Sequence, residues 1–455
     1  MTPALYIVIV AMLFQQAMSY MASQVLPSVA PQAGTALGLD PELVLYHTTI
    51  FYGVSGCLQA LVGGLIIRMG AIRISQLSLL GLGVGLALSM VGELWVFAAV
   101  AVMMGAANSV STPASSHLLA RHSPKKYAPL IFSIKQTGVP VGGLIAVGAA
   151  GIFVSADAPE TWTHAFMATS AICLVLMLII QPMRKEFDDD RQPGYPIRIT
   201  DGFRNIVTAV KTPALRDLSL AMTAFVGLQG LFNSIFATYA QTQLGYSQDA
   251  ALRLLLITNG VAIGARVFWG WVGSSIFSAR ITLSALAFVM AFSTVAIGWA
   301  DGWPYWLLAA VTFAFGASTL SWHGLLLAEV ARLSPAGLVG PVTGGVLFWG
   351  SIGMFTYPMV AKTLRNLDVP YAYIFTAAAL PALIMAFRLL RQPPAPAIEP
   401  EAESALAPET KRRRALRFLN AGDAEPLWRQ PRLPLADAKA APGLGVALRR
   451  KRRRR

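Results

Sequence analysis

Long apolar stretches alternate with short polar segments over the first 390 residues, and this pattern constrains the fold more than any other feature. Each stretch can cross about 30 Å of hydrocarbon as a helix, which satisfies its own backbone in lipid. Hydrophobic residues make up 55% of the 455 residues and charged residues only 13%. This composition argues against a soluble enzyme, a disulfide-linked scaffold and a disordered chain. We predict an all-α membrane protein with twelve transmembrane helices, at residues 4–26, 44–67, 74–92, 95–119, 128–153, 164–182, 216–242, 250–273, 281–298, 304–328, 339–361 and 371–390.

Basic residues are distributed unevenly among the loops. Lys and Arg concentrate in the loops after the second, fourth, sixth, eighth and tenth spans and in the segment after the last span. The opposite loops carry mainly acidic residues. Because cytoplasmic loops are enriched in Lys and Arg, both termini are predicted to be cytoplasmic, which requires an even number of crossings. We therefore predict a multi-pass protein of the plasma (inner) membrane.

The loop after the sixth span divides the spans six and six. It contains three consecutive aspartates, Asp188 to Asp190, followed by proline and glycine, which is typical of a linker. The halves also resemble each other, since Gly105-Ala106 and Gly142 recur 211 residues later as Gly316-Ala317 and Gly353. A repeat of two six-helix bundles is a transporter architecture. The predicted regions are an N-terminal bundle (1–183), a cytoplasmic linker (184–215), a C-terminal bundle (216–390) and a disordered basic cytoplasmic tail (391–455).

The loop after the second span carries a recognisable motif. Gly63, Arg68 and Gly70 match the pattern of the major facilitator superfamily, while Ile67 occupies the position of its aspartate. Gly270 matches the counterpart loop of the second half. Residues 1 to about 390 therefore resemble that superfamily. The resemblance implies two pseudo-symmetric bundles, alternating access, a substrate site between the halves, and a gate loop at Gly63, Arg68, Gly70 and Gly270. We expect the absence of an acid at Ile67 to weaken the cytoplasmic charge latch.

Two cations lie inside predicted spans, Lys135 in the fifth and Arg266 in the eighth, each roughly 10 Å from the cytoplasmic face. A buried charge is costly in a membrane and therefore indicates function. Each half contributes one cation and no Asp or Glu lies mid-span, so the pair predicts an anionic substrate that supplies the missing charge. Arg266 also resembles the arginine with which monocarboxylate transporters hold a carboxylate. Alternatively, Lys135 extends to the headgroups, and Arg266 braces the gate by binding helix-end carbonyls or Glu329.

Polar residues at helical spacing add candidates for the substrate pathway. Gln16, Tyr20 and Gln24 repeat every four residues in the first span and share a face. His323, the only histidine well inside a span, is interpreted either as a proton relay or as a hydrogen-bonded packing residue. Helix–helix hydrogen bonding explains the other polar residues nearly as well as substrate contact does. The remaining candidates are Tyr52, Asn108, Gln229, Asn233 and Asn259.

These features predict a secondary transporter that moves a small organic solute, an anion such as a carboxylate, across the plasma membrane. The alternatives are an efflux antiporter for drugs or metabolites, since residues 138–143 resemble an antiporter motif, and a non-transporting receptor or scaffold. We expect no enzyme activity, metal or cofactor, and a monomer in the lipid bilayer. Proton coupling is an open alternative. The tail is predicted to attach to anionic headgroups or to be a solvated extension, without nucleic-acid binding.

Overall fold

The computed structural model describes residues 3–40, 43–155, 157–335 and 337–391. Within these residues the chain is helical, with turns between helices and no strand. The tail predicted from residue 391 begins at the end of the last helix, and its residues 392–455 lie outside the described part of the chain.

Eighteen α-helices make up the described chain. Those of the N-terminal half are α1 (Pro3–Leu37), α2 (Val44–Leu58), α3 (Gly63–Met69), α4 (Ala71–Ser89), α5 (Leu94–Asn108), α6 (Ser111–His122), α7 (Ala128–Gln136), α8 (Gly138–Phe153) and α9 (Trp162–Ile179). The linker carries α10 (Arg184–Phe187) and α11 (Ile199–Lys211). Those of the C-terminal half are α12 (Pro213–Thr242), α13 (Gln248–Ser275), α14 (Ala279–Gly298), α15 (Tyr305–Thr319), α16 (His323–Leu333), α17 (Val339–Asn366) and α18 (Tyr371–Arg391).

Eleven spans in the described residues are long and apolar enough to cross a membrane, and the bent pair α2–α3 makes a twelfth. The predicted number is therefore confirmed. The predicted span at 44–67 corresponds to this pair but is not one straight helix, because α2 and α3 are bent by 68° at the turn 59–62. Asn205 Nδ2 donates to the Ala60 carbonyl in that turn at 3.2 Å, so a distant residue compensates the interrupted helix. The first span was also predicted too short, since α1 continues to Leu37.

Helix breaks recur at the offset of 211 residues that separates the repeated sequence features. α5 ends at Asn108 and α15 ends at Thr319, which are 211 residues apart. Gly142 packs against the backbone of α1, and Gly353 packs against the backbone of α12, so that a Cβ on either glycine would collide with a carbonyl. The internal repeat thus marks equivalent helix contacts in both halves. The residue boundaries of the two bundles stay a prediction.

The two halves contact each other near the basic loops, on the side that we call the predicted cytoplasmic side. There α7 packs against α13 and α16, α6 packs against α16 and α17, and α3 packs against α17. The helices α5, α8 and α15 continue three of these spans toward the opposite side, and they pack against helices of their own half. The described chain is therefore closed on the predicted cytoplasmic side. Its orientation in the membrane stays a prediction.

Candidate functional site

Lys135 lies in the interior of the protein. It is the penultimate residue of α7, and its side chain is only 1% exposed. Its Nζ donates to Oε1 of Gln16 at 2.6 Å and to Oε1 of Gln136 at 3.4 Å. The alternative in which Lys135 extends to the headgroups does not match this geometry, because the ammonium group binds a polar face of α1.

Arg266 of α13 joins two helix interruptions that lie in different halves. Its buried guanidinium donates from Nε to the Leu320 carbonyl at 2.9 Å and from Nη1 to the Gln136 carbonyl. Leu320 directly follows α15, and Gln136 ends α7. The Gln136 carbonyl lacks its usual helical donor because Pro140, four residues later, has no backbone N–H. Arg266 therefore bridges the halves through backbone oxygens that the helix breaks leave free.

Gln136 places the two cations next to each other. Its side-chain oxygen accepts from Lys135 and its backbone oxygen accepts from Arg266. His323, at the start of α16, lies near both cations, and Tyr20 of α1 lies near Arg266. We call this group the central cluster, and its members are Gln16, Tyr20, Lys135, Gln136, Arg266 and His323.

Two further predicted residues lie beside the central cluster. The Tyr52 hydroxyl forms a hydrogen bond of 2.9 Å with Ser23 and accepts from Gln24 Nε2 at 3.3 Å. Tyr52 also lies near Tyr20. Gln24 and Tyr52 thus extend the polar face of α1 away from the cations.

His323 is held by an aromatic neighbour. Its ring stacks on Trp322, with the ring centroids 3.8 Å apart, and its buried Nδ1 has no hydrogen-bond partner among the described residues. The interpretation of His323 as a hydrogen-bonded packing residue therefore does not agree with the surroundings of its Nδ1. The proton relay stays a prediction.

The four other predicted lining residues differ from one another in exposure and in hydrogen-bond partners. Asn108 Nδ2 donates to Ser55 Oγ at 2.8 Å, which joins α5 to α2 within one half. Asn259 is exposed and donates to a carbonyl of its own helix at 2.9 Å. Asn233 is also exposed, and Gln229 is partly exposed. Within the described residues, no hydrogen bond joins any of these four side chains to the central cluster.

Buried acids of the described chain have basic partners elsewhere. Glu329, considered as a partner of Arg266, binds Arg280 at 2.8 Å and Arg332 at 2.7 Å instead. Asp217 binds an arginine of α18 at 2.6 Å. No ion pair of the described residues includes Lys135 or Arg266. The central cluster therefore holds two cations whose hydrogen bonds go to neutral oxygens.

Two of the four predicted gate residues lie where the halves touch. A Cβ on Gly63 would come within 2.6 Å of α17, and a Cβ on Gly270 would come within 2.5 Å of a side chain on α7. These glycines allow α3 and α13 to approach the opposite half closely. Arg68 is exposed, and Gly70 has a φ of 92° between α3 and α4.

The glycines of the antiporter-like stretch also have a packing role. A Cβ on Gly138 or Gly142 would collide with carbonyls of α1, at Leu13 and Ala17. The stretch therefore packs α8 against α1 closely.

Sequence reasoning missed Gln136, although its position four residues before Pro140 could have identified a free backbone acceptor. It also assigned Asp188 to Asp190 to a linker without identifying their contacts, and in the structure these aspartates bind α4 and α6.

Comparisons with known proteins place the chain among membrane transporters. A family model of the Major Facilitator Superfamily matches residues 12–358. The chain is 25% identical over 317 residues to a gentisate transporter of Corynebacterium glutamicum, which covers 66% of the chain and 68% of the relative. It is 26% identical over 242 residues to a probable nitrate/nitrite transporter of Mycobacterium tuberculosis. That match covers 51% of the chain and 57% of the relative, so the chain spans little more than half of this relative's length.

Solved structures share the fold at low sequence identity. The human organic anion transporter MFSD10 matches with a TM-score of 0.64 and 13% identity, over 86% of this chain and 100% of that chain. The E. coli fucose:proton symporter FucP matches with a TM-score of 0.63 and 17% identity, over 84% of this chain and 98% of that chain. At these identities the likeness concerns the arrangement of helices alone.

Proposed function

Because the chain belongs to the Major Facilitator Superfamily, we propose that it is a secondary transporter that moves a small organic anion, such as a carboxylate, by alternating access. The resemblance noted in the loop motifs is thereby confirmed. The protein is a multi-pass transporter of the plasma membrane and not an enzyme. Substrate class, direction and coupling belong to the proposal.

The observation that carries the anionic substrate is the charge of the central cluster. Lys135 and Arg266 are buried, come from opposite halves and bind neutral amide and carbonyl oxygens. A desolvated cation with neutral partners is stabilised less than one that faces an anion. An anion entering the cluster would therefore gain two charge-assisted hydrogen bonds that the protein does not satisfy by itself. The names of the two relatives agree with this proposal, since gentisate and nitrate are anions.

The two cations have different chemical roles in this proposal. The planar guanidinium of Arg266 presents paired donors that match the two oxygens of a carboxylate, whereas the Lys135 ammonium acts as a point charge. An anion held by both would tie together α7 and α13, which belong to opposite halves. Binding would thus favour closure of the halves around the substrate, which alternating access requires.

A thermal-shift screen on the purified protein tests the substrate class. Gentisate, nitrate and aliphatic carboxylates are compared with amines and sugars, since a ligand that binds the folded state raises the apparent melting temperature. We expect the largest shift from a carboxylate. The same compound should then move into proteoliposomes that contain the protein and not into empty liposomes. A best ligand that is cationic would contradict the anion site and favour the efflux alternative, whereas binding without flux would favour a receptor.

Proton coupling through His323 can be separated from anion binding. If His323 is a relay, His323→Gln should remove the stimulation of uptake by an inward proton gradient, whereas carboxylate exchange without a gradient should persist. Equal stimulation in wild type and variant would eliminate the relay. The monomeric state also stays a prediction.

A further inference from the structure

The segment between the two halves is anchored by a helix cap. Asp188 is buried, and its two carboxylate oxygens accept from the backbone N–H groups of Ile72 at 2.8 Å and Arg73 at 3.0 Å. These amides belong to the first turn of α4, whose preceding residue, Gly70, has no side chain to cap it. A residue 116 positions later in the chain therefore completes the start of α4.

The next two aspartates bind the end of α6. Asp189 pairs with Arg121, and Asp190 pairs with Arg121 at 3.3 Å and with Nε2 of His117 at 2.7 Å. A backbone contact follows, since the N–H of Gln192 donates to the Ile67 carbonyl at 2.7 Å. Ile67 occupies the position of the aspartate in the superfamily motif. The linker thus brings three acids to a region whose own loop lacks one.

Helix α11 then contacts both halves at once. Asn205 Nδ2 donates to the Ala60 carbonyl, in the turn between α2 and α3, at 3.2 Å. On the other side, Trp349 Nε1 of α17 donates to the Ile206 carbonyl at 3.2 Å. A Cβ on Gly345 of α17 would come within 2.5 Å of the Asn205 carbonyl, so α11 lies directly against α17. These contacts lie next to the place where α3 packs against α17.

We propose that residues 188–211 form a strap that holds the predicted cytoplasmic side closed, with Asp188 to Asp190 anchoring it to α4 and α6 of the N-terminal half. Opening of this side moves α17 away from α3. Because α11 is bound to the Ala60 turn and to α17, it must lose one of the two contacts when they separate. The strap therefore stabilises the closed state selectively, and weakening it favours the open state. The proposal requires alternating access but no particular substrate, so it can fail independently of the anion site.

The accessibility of one reporter cysteine tests the strap. In a background with Cys57→Ala and Cys173→Ala, the reporter is Ser133→Cys. Ser133 is 0% exposed and lies against Gly270 and Gly324 of the C-terminal half. A membrane-impermeant maleimide should reach it only when the predicted cytoplasmic side opens. The measured quantity is the labelling rate of the full-length protein in detergent, without substrate.

Three strap variants are compared with the reporter protein. Asn205→Ala removes one hydrogen bond of the closed state and should raise the labelling rate about 2- to 12-fold. Asp188→Ala leaves two amides uncapped and should raise it at least as much. The matched control is Asp201→Asn, which lies on the same helix and forms its described ion pair with Arg204, also on α11. Its labelling rate should not change.

Two results would overturn the strap. One is an unchanged labelling rate in both Asn205→Ala and Asp188→Ala. The other is an equal increase in all three variants, which would indicate general loosening of α11. If Asp188→Ala yields no folded protein, Asp188→Asn replaces it, because the amide keeps one acceptor oxygen for the α4 amides. An unchanged rate in Asn205→Ala and Asp188→Asn together then refutes the proposal.

Discussion

Replacing Lys135 by methionine tests whether this lysine binds substrate or stabilises the fold. Methionine keeps much of the length and volume of the side chain but removes the ammonium group. The Gln16 oxygen that loses this donor keeps the hydroxyl of Thr112 at 3.2 Å, whereas the hydroxyl of Ser111 is shared with Gln15, which it meets at 3.0 Å. The substitution therefore leaves no unpaired acceptor at Gln16. We expect Lys135→Met to fold, and to lose anion binding.

The expected changes in stability and in ligand binding follow from the same contacts. The lost hydrogen bonds of a charged donor contribute roughly 1.5–3 kcal/mol, but removing a desolvated charge without an ionic partner returns several kcal/mol. The free energy of unfolding without ligand should therefore stay equal or rise. At a carboxylate concentration 100 times its dissociation constant, wild type gains about 2.7 kcal/mol from the ligand. A variant that binds about 30-fold more weakly gains about 0.9 kcal/mol at the same concentration.

Thermal unfolding in detergent, with and without the best carboxylate of the screen, measures both quantities. Lys125→Met, which removes an exposed lysine of the loop before α7, is the control and should keep the full ligand shift. The reasoning is refuted if Lys135→Met keeps the wild-type ligand shift. It is also refuted if the variant without ligand is destabilised by several kcal/mol, since Lys135 would then be a structural residue.

Three further predictions concern single residues. Arg266→Lys should weaken carboxylate binding about 10- to 150-fold in calorimetry, because the ammonium group of lysine cannot reproduce the two-pronged contact of a guanidinium with a carboxylate. An unchanged affinity would contradict the proposal that Arg266 binds the carboxylate. Gly70→Ala should lower the free energy of unfolding by about 1–3 kcal/mol, because the φ of Gly70 is 92° and a Cβ there would collide with Asp188. The control is Gly194→Ala, since a Cβ on Gly194 meets open space, and it should change the free energy of unfolding by less than about 0.5 kcal/mol. Burial raises the pKa of Asp188 above its ordinary value although two backbone amides lower it, so the folded state binds the proton more tightly than the unfolded state. Wild type should therefore gain stability relative to Asp188→Asn as the pH falls from 7 toward 4, and a constant difference in melting temperature would contradict this.

Hydropathy predicted the number of spans because lipid imposes a length and a composition on every crossing segment. It could not predict the break in the second span. The Ala60 turn is held by Asn205, which lies 145 residues later, so the local sequence carries no sign of this contact. It also ended the first span too early, although α1 continues through Pro27 and Pro31. Membrane helices tolerate proline where neighbouring groups satisfy the freed carbonyls.

The sequence indicated the two cations for a similar reason, since an unmatched charge in an apolar stretch is visible without a structure. Their partners were less visible. Gln136 acts partly through its backbone oxygen, and this role depends on Pro140 and on the approach of α13 from the opposite half. The contacts of the linker aspartates could not be predicted, because their partners, such as Ile72 and His117, are distant in sequence. Local patterns thus predicted which residues carry charge, and only the fold determined what each charge binds.

Arg266 shows why the gate and the substrate clamp need not exclude each other. In the closed arrangement its guanidinium binds the Leu320 carbonyl of its own half and the Gln136 carbonyl of the other half. A carboxylate that binds Arg266 competes with these neutral oxygens for the same N–H donors. Because an ionised acceptor forms the stronger bond, substrate binding would replace the bridge to Gln136 with a bridge through the anion to Lys135. If Arg266 recognises the anion as proposed, the contact between the halves would depend on whether substrate is present, and Arg266 would also control when the closed side can open.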